Sequence, residues 1–286
     1  MSTPNSQVKV GILKLGCVGT APLLEYLLDE RAERKDILFR IVSSGSKMLE
    51  EEAVEIAKKL VEFKPDFAIV VSPNATLPGP TKAREILREN GIPTIVVSDA
   101  PTKKIKEELE EKGFGYIIVL ADSMIGARKE FLDPAEMSIF NADIIKVLAV
   151  TGVYNLMVQA IDKVIDAIKE GKEPELPKVV VNADKALEYS EFSNPYAKSK
   201  AMAAFEIAAT VSKLTTKACF KIKEWEVYTL VASAAHEMMR CAAMLADEAR
   251  EIEKYGDTLT RKPHSKKGML LVKKKLIEKP VKEGSS

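Results

Sequence analysis

The sequence predicts an α/β protein: an open parallel sheet in the N-terminal half, then a helical bundle with small β additions. Three observations predict it. Between residues 8 and 122, short apolar runs alternate with segments of helical periodicity, and a regular strand–helix repeat builds a parallel sheet with right-handed crossovers. Those apolar runs are continuous rather than alternating, as strands covered on both faces require. After residue 127 the pattern changes to long stretches with apolar residues three and four apart, the spacing of helices that bury one face.

Each element follows from its residues. Residues 8–13 form the first strand, and Gly16 to Gly19 turn the chain into an amphipathic helix over 22–31. The second strand, 38–43, runs into Ser44-Gly45-Ser46. A helix over 49–63 sets Ala53, Val54, Ala57, Leu60 and Val61 on one face. The third strand, 67–71, ends in Ser72-Pro73-Asn74. A helix over 81–90 stops at Gly91, a residue suited to the left-handed C′ position. The fourth strand, 93–97, runs into Ser98-Asp99-Ala100-Pro101, and a charged helix covers 103–112. The fifth strand, 116–121, ends in Asp122. In the second half, helices are expected over 134–148, 151–170, 195–213 and 223–255, with a short strand at 179–181 and an apolar run at 269–272. The expected division is 1–126 for a Rossmann-like α/β domain with a non-standard fingerprint and 127–286 for the bundle.

Composition narrows the function classes. The 43 basic and 42 acidic side chains nearly cancel, which argues against a nucleic-acid binder. No apolar run reaches membrane-spanning length, and residues 1–8 carry no apolar signal-peptide core, so the expected location is the cytoplasm, away from any membrane. Cys17, Cys219 and Cys241 have no paired spacing, and His236 and His264 are the two histidines. Neither a disulfide framework nor a metal centre is expected.

Ligands of such sheets bind outside the carboxyl ends of the strands. Those ends are rich in Gly, Pro, Ser, Asn and Asp, which are also ordinary turn formers; five such loops on one edge favour a site there. Lys14-Leu15-Gly16-Cys17-Val18-Gly19 occupies the place of a dinucleotide fingerprint, but Lys14 stands where its first glycine belongs. Ser44 replaces the acid that would hold a ribose hydroxyl. Gly16 and Gly19 allow close backbone approach at a helix N-terminus, and Lys14 adds positive charge there. Asp99 and Asp122 end neighbouring strands and can orient ring or amide nitrogens as acceptors, or cap the helices that follow. Arg128 can clamp a phosphate or carboxylate, or tie the two halves by a salt bridge. On the last long helix His236 and Arg240 share a face, a pairing that is more often structural. Cys17 has no visible histidine partner to make it a nucleophile.

Several segments together carry a resemblance. They are Lys14 to Gly19, Ser44 to Met48, Pro73-Asn74, Gly79-Pro80-Thr81-Lys82, Ser98-Asp99-Ala100-Pro101, Ala121-Asp122-Ser123-Met124-Ile125-Gly126-Ala127-Arg128, Phe140-Asn141-Ala142-Asp143, and Asn194-Pro195-Tyr196-Ala197-Lys198. In this order, over nearly the whole chain, the sequence resembles the coenzyme F420-dependent methylenetetrahydromethanopterin dehydrogenases of methanogenic and related archaea. It departs at Ser123, where the resemblance leads one to expect proline, and in the Cys17-Val18 turn.

The resemblance implies reversible hydride transfer between methylenetetrahydromethanopterin and coenzyme F420, giving methenyltetrahydromethanopterin and reduced F420. F420 would act as a cosubstrate, without metal or flavin, in a homo-oligomer, a hexamer built as a trimer of dimers. Lys14, Gly16, Cys17, Gly19, Ser44, Lys47, Asn74 and Pro80 are the candidate residues for the deazaflavin. Asp99, Pro101, Asp122, Met124, Arg128 and Asn141 are the candidates for the one-carbon carrier. Asp99 and Asp122 would orient it and stabilise developing positive charge, with no acid or base required. Two other readings share the fold: an NADP-dependent dehydrogenase of a related carrier using Ser44, Ser46 and Lys47, and a ligand-sensing α/β protein without turnover.

Overall fold

The computed structural model describes residues 7–29, 33–123 and 128–284. Its centre is a six-stranded parallel sheet of β1 (Val8–Lys14), β2 (Ile37–Ser43), β3 (Phe67–Ser72), β4 (Thr94–Asp99), β5 (Gly115–Val119) and β6 (Lys178–Val181), in the order β2-β1-β3-β4-β5-β6. β3, β4 and β5 are fully buried along their length, as their unbroken apolar runs require. Alternate side chains serve different layers. Phe67, Ile69 and Val71 face the larger core shared with the helical half, whereas Ala68 and Val70 face the helices on the other side.

The sheet does not end where the N-terminal half does. The sequence reading assigned the strand at 179–181 to the bundle, but Lys178–Val181 pairs with β5 in parallel register, Ile117 beside Val179. A Val-Val-Val run has no preference for either half; an open β5 edge offers its backbone groups partners, and that decides its place.

The crossover helices are α1 (Thr20–Asp29), α2 (Glu50–Phe63), α3 (Pro78–Glu89) and α4 (Lys106–Glu111). α3 starts earlier than expected because Pro78 and Pro80 sit in its first turn, where a missing N–H costs nothing. The charged segment after β4 begins as a 3₁₀ turn, Ala100–Ile105, before α4. The helical half comprises α5 (Pro134–Val150), α6 (Val153–Lys169), α7 (Ala183–Glu188), α8 (Pro195–Phe220) and α9 (Trp225–Tyr255), followed by the antiparallel pair β7 (Leu271–Val272) and β8 (Val281–Lys282). Small residues line the α8–α9 contact: Ala197, Ala201, Ala204 and Ala208 on one helix, Ala235, Ala242, Ala246 and Ala249 on the other. Their size lets the two backbones approach closely. Between α5 and α6 the chain turns on Gly152, whose φ is 103° and whose Cβ would fall 2.0 Å from the Ala186 carbonyl oxygen. Only glycine satisfies both conditions.

α5 packs across the carboxyl edge of the sheet. A Cβ on Gly19 would lie 2.4 Å from Ile144 Cγ2 and 3.1 Å from Leu148 Cδ1. The helical half therefore closes over the strand ends.

Candidate active site

Strand order reverses between β1 and β3, which leave their shared boundary in opposite directions, and ligands of open α/β sheets bind at such a reversal. Its walls are the loops after β1, β2 and β3. Lys14 closes β1, and its carbonyl accepts from the Ser44 amide at 3.1 Å. Its ammonium has no acidic partner among the described residues, so it is available to an anion. Lys47, by contrast, pairs with Glu52 at 3.1 Å. Gly16 has φ 77°, and a Cβ there would lie 2.8 Å from Met48 Sδ and 3.1 Å from Pro73 Cδ. Gly16 thus lets the three loops meet. Cys17 beside it is half-buried. Asn74 folds its loop locally, its Oδ1 accepting from the Thr76 amide and hydroxyl at 3.0 and 2.7 Å. Pro80 is buried in the first turn of α3.

A second set of side chains fixes the strand ends. Ser98 Oγ donates to the Ser72 carbonyl at 2.6 Å and lies 2.7 Å from Thr102 Oγ1, which in turn accepts from the Ala75 amide at 3.0 Å. Buried Arg84 donates to the Ala75 carbonyl at 2.6 Å. β3, β4 and the Pro73–Ala75 loop are locked together by groups to which the sequence reading gave no individual role.

Asp122 does not cap the helix after it. Its oxygens accept from the amides of Gly19 and Thr20, at 2.7 and 3.0 Å, about a hundred positions earlier in the chain. A carboxylate is the expected partner for the unpaired amides at the start of α1. This alters the reading of Gly19: its amide is held by the protein's own carboxyl, and its missing Cβ makes room for α5 rather than for a ligand. Burial pushes the Asp122 carboxyl up to about 7, against the pull of the amides at the start of α1.

Asp99 is equally enclosed. Its oxygens lie 2.9 and 2.8 Å from Ser212 Oγ on α8, and one accepts from the Ala100 amide at 2.5 Å. Burial, and then the nearby Asp122 charge, raise its carboxyl well above the ordinary range. Of the two expected readings the capping one is seen, Asp99 capping the 3₁₀ turn that contains Pro101; its bond to Ser212, across the joint between the halves, was not foreseen. Ser212 had no signal in the sequence, because a serine in an alanine-rich helix looks like any other small residue.

Arg128 is not free to clamp an anion with its whole guanidinium. Nη2 lies 3.2, 3.0 and 2.8 Å from the carbonyls of Ala218, Cys219 and Ile222, at the end of α8, and the ring of Tyr228 is 4.5 Å away. A cation is favoured at the carbonyl end of a helix; this one ties the segment before α5 to the end of α8, both within the helical half, and has no acidic partner among the described residues. Met124 lies outside the described residues. His236 stacks on Phe140 at 3.9 Å with Nδ1 3.1 Å from Glu136 Oε1, and burial lowers its pKa. It pins α9 to α5, a structural position.

Four polar atoms on or beside this edge are buried with no hydrogen-bond partner among the described residues: Thr20 Oγ1, Ser72 Oγ, Ser123 Oγ and Asn141 Oδ1. Buried polar groups are nearly always paired, so unpaired ones beside a sheet's ligand-binding edge mark where another molecule fits. A cavity of about 1060 Å³ lies elsewhere, at the amino ends of β4 to β6. Of its basic residues, Arg88, Lys112 and Lys172 stand at the carbonyl ends of α3, α4 and α6, where cations are favoured.

Residues 8–281 match the family model described as methylene-5,6,7,8-tetrahydromethanopterin dehydrogenase. The chain is 62% identical over 273 residues to the F420-dependent methylenetetrahydromethanopterin dehydrogenase of Archaeoglobus fulgidus, covering 96% of this chain and 99% of that one. It is 56% identical over 274 residues to the enzyme of the same name from Methanocaldococcus jannaschii, with the same coverage. A solved F420-dependent methylene-tetrahydromethanopterin dehydrogenase, in complex with methylene-tetrahydromethanopterin and coenzyme F420, superimposes with a TM-score of 0.92 at 47% identity, over 96% of this chain and 100% of that one.

Proposed function

The chain belongs to the methylene-5,6,7,8-tetrahydromethanopterin dehydrogenase family, and on that premise we propose that it moves a hydride reversibly between methylenetetrahydromethanopterin and coenzyme F420. The products are methenyltetrahydromethanopterin and reduced F420, and the setting is archaeal one-carbon metabolism. The observation that carries the reading is the near-complete superposition, at 0.92, on a homologue solved with both compounds.

The bound pair supplies the chemistry: the carrier's ring nitrogens drive the C–H electron pair out of the methylene carbon, and the deazaflavin ring accepts it. The protein has to place two rings face to face, at near-attack distance, in a dry cleft. The locked strand ends and the helical half closing over them suit that task. Lys14 is our candidate anchor for an anionic tail, with Gly16, Ser44 and Asn74 shaping the same wall. Asp99 and Asp122 are buried behind the edge, so we assign them to bracing the loops; burial holds their carboxyls toward the neutral form, which counts against the expected role of opposing the positive charge that develops as hydride leaves. We further propose a homo-oligomer, a hexamer built as a trimer of dimers, and a cytoplasmic location. Exposed Trp225, Val227, Leu230 and Met244 on α9 support association, since clustered exposed apolar residues mark contact surfaces.

The test is to mix the protein with methylenetetrahydromethanopterin and oxidised F420 and follow loss of the deazaflavin's visible absorbance. Bleaching that requires both compounds is expected. Turnover with a nicotinamide cofactor and none with F420 would refute the reading, and binding of both compounds without turnover would make the protein a sensor.

A further inference from the structure

We propose that Ser123 and Asn141 are specificity-determining contacts for the carrier's heterocycle, satisfied by a ring edge that presents a hydrogen-bond donor beside an acceptor. The proposal rests on the hydride-transfer reading above and names the groups that would recognise its substrate.

Ser123 is fully buried and its hydroxyl has no partner among the described residues; Asn141 Oδ1 is likewise buried and unpaired there. The two belong to one neighbourhood. The point where a Gly19 Cβ would stand is 2.9 Å from Asp122 Oδ1 and 2.4 Å from Ile144 Cγ2. Ser123 directly follows Asp122. Asn141 lies one turn before Ile144 on α5, on the same side of the helix. Both therefore flank the joint where α5 meets the carboxyl edge of the sheet.

The surrounding polar groups are already used. Asp122 holds the start of α1, Asp99 holds Ser212, Ser98 and Thr102 hold the β3–α3 loop, and Asn74 holds its own turn. Ser72 Oγ is unpaired too, but by strand alternation it points with Ala68 and Val70 to the opposite face. Thr20 Oγ1, unpaired as well, lies against the Asp122 carboxyl; beyond it, what remains is one obligate acceptor, the amide oxygen of Asn141, and the Ser123 hydroxyl, which can donate or accept. A pterin edge, with ring N–H and amino donors beside a carbonyl, complements that pair. A site whose buried polar groups are paired only by the right ligand rejects analogues that lack the matching atoms.

The test compares Ser123→Ala, Asn141→Ala and Asn141→Asp with the parent protein, in steady-state kinetics and in thermal unfolding with and without unmethylated tetrahydromethanopterin. Both alanine variants should raise KM for the methylene carrier at least tenfold and leave KM for F420 within twofold. Asn141→Asp, which keeps an acceptor, should stay within a few-fold of the parent. Ligand-free Ser123→Ala should unfold no lower than the parent, since it loses only an unpaired hydroxyl, while its stabilisation by the carrier should shrink. An unchanged carrier KM in Ser123→Ala would mean that water alone satisfies the hydroxyl, and would overturn the proposal. So would a lowered ligand-free Tm with both KM values raised together, the signature of a structural role. A parent that is stabilised by the carrier yet transfers no hydride would sink the catalytic reading instead, and the thermal shifts would still decide the contact.

Discussion

Replacing Asp122 with asparagine should flatten the pH dependence of folding. The Asp122 carboxyl stands at about 7 in the folded protein against an ordinary 3.8. Between those values the unfolded chain has released this proton and the folded chain keeps it. The folded state then binds more protons, so stability falls as pH rises through this window and stops falling above about pH 7. At about 1.4 kcal/mol per pH unit, the loss from this one group is about 4 kcal/mol. The asparagine removes the titration but keeps one acceptor only: its oxygen still takes an amide of α1, while its NH₂, which cannot accept, faces the other. Near pH 4 the variant should therefore be the less stable by about 1–3 kcal/mol. Between there and pH 7.5 the difference should move in the variant's favour by about 4 kcal/mol. Asp99 is raised by burial in the same direction and titrates in both proteins, somewhat lower once the Asp122 charge is gone. Guanidinium unfolding at fixed protein concentration, from pH 4.5 to 8, measures the difference directly. Parallel curves for parent and variant would show that Asp122 is ionised throughout, and the account of a buried, proton-holding cap would be wrong.

Other perturbations test the joints that position the site. Gly152→Ala places a Cβ 2.0 Å from the Ala186 carbonyl at φ 103°; a loss above about 3 kcal/mol is expected, and a Tm within a degree of the parent would contradict it. Gly19→Ala drives a methyl into Ile144 and the Asp122 carboxyl, so about 2–4 kcal/mol should be lost together with carrier binding. Arg128→Ala strips three carbonyls at the end of α8 of their donor; hydrogen exchange should rise at 216–222, at a cost of about 2–4 kcal/mol, and unchanged exchange there would remove Arg128 from the joint.

The parallel sheet was legible because its strands are continuous apolar runs, and the edge that carries the loops follows from strand polarity alone. Lys14 in place of a glycine and Ser44 in place of an acid turned the reading of the first loop away from a dinucleotide site. What was not legible depends on partners far apart in the chain. Asp122 looked like an acceptor for ligand nitrogens or a cap for the helix after it, because sequence shows neighbours and not the amides of Gly19 and Thr20. Arg128 looked like an anion clamp, because the open end of α8 cannot be seen before the helix is placed; the helix runs to Phe220, past the expected stop at 213. Val179 to Val181 looked like an appendage, because four residues do not say which edge they will join. Ser123 drew notice only as a departure from pattern, and its unpaired hydroxyl is a property of the fold.

The central claim is direct transfer of hydrogen from the methylene carbon to the deazaflavin, and isotopic labelling tests it most directly. With the carrier deuterated at the methylene group in ordinary water, the account predicts that this protein yields reduced F420 bearing one deuterium on carbon, read by mass spectrometry and NMR. Reduced F420 carrying only hydrogen from solvent would contradict it.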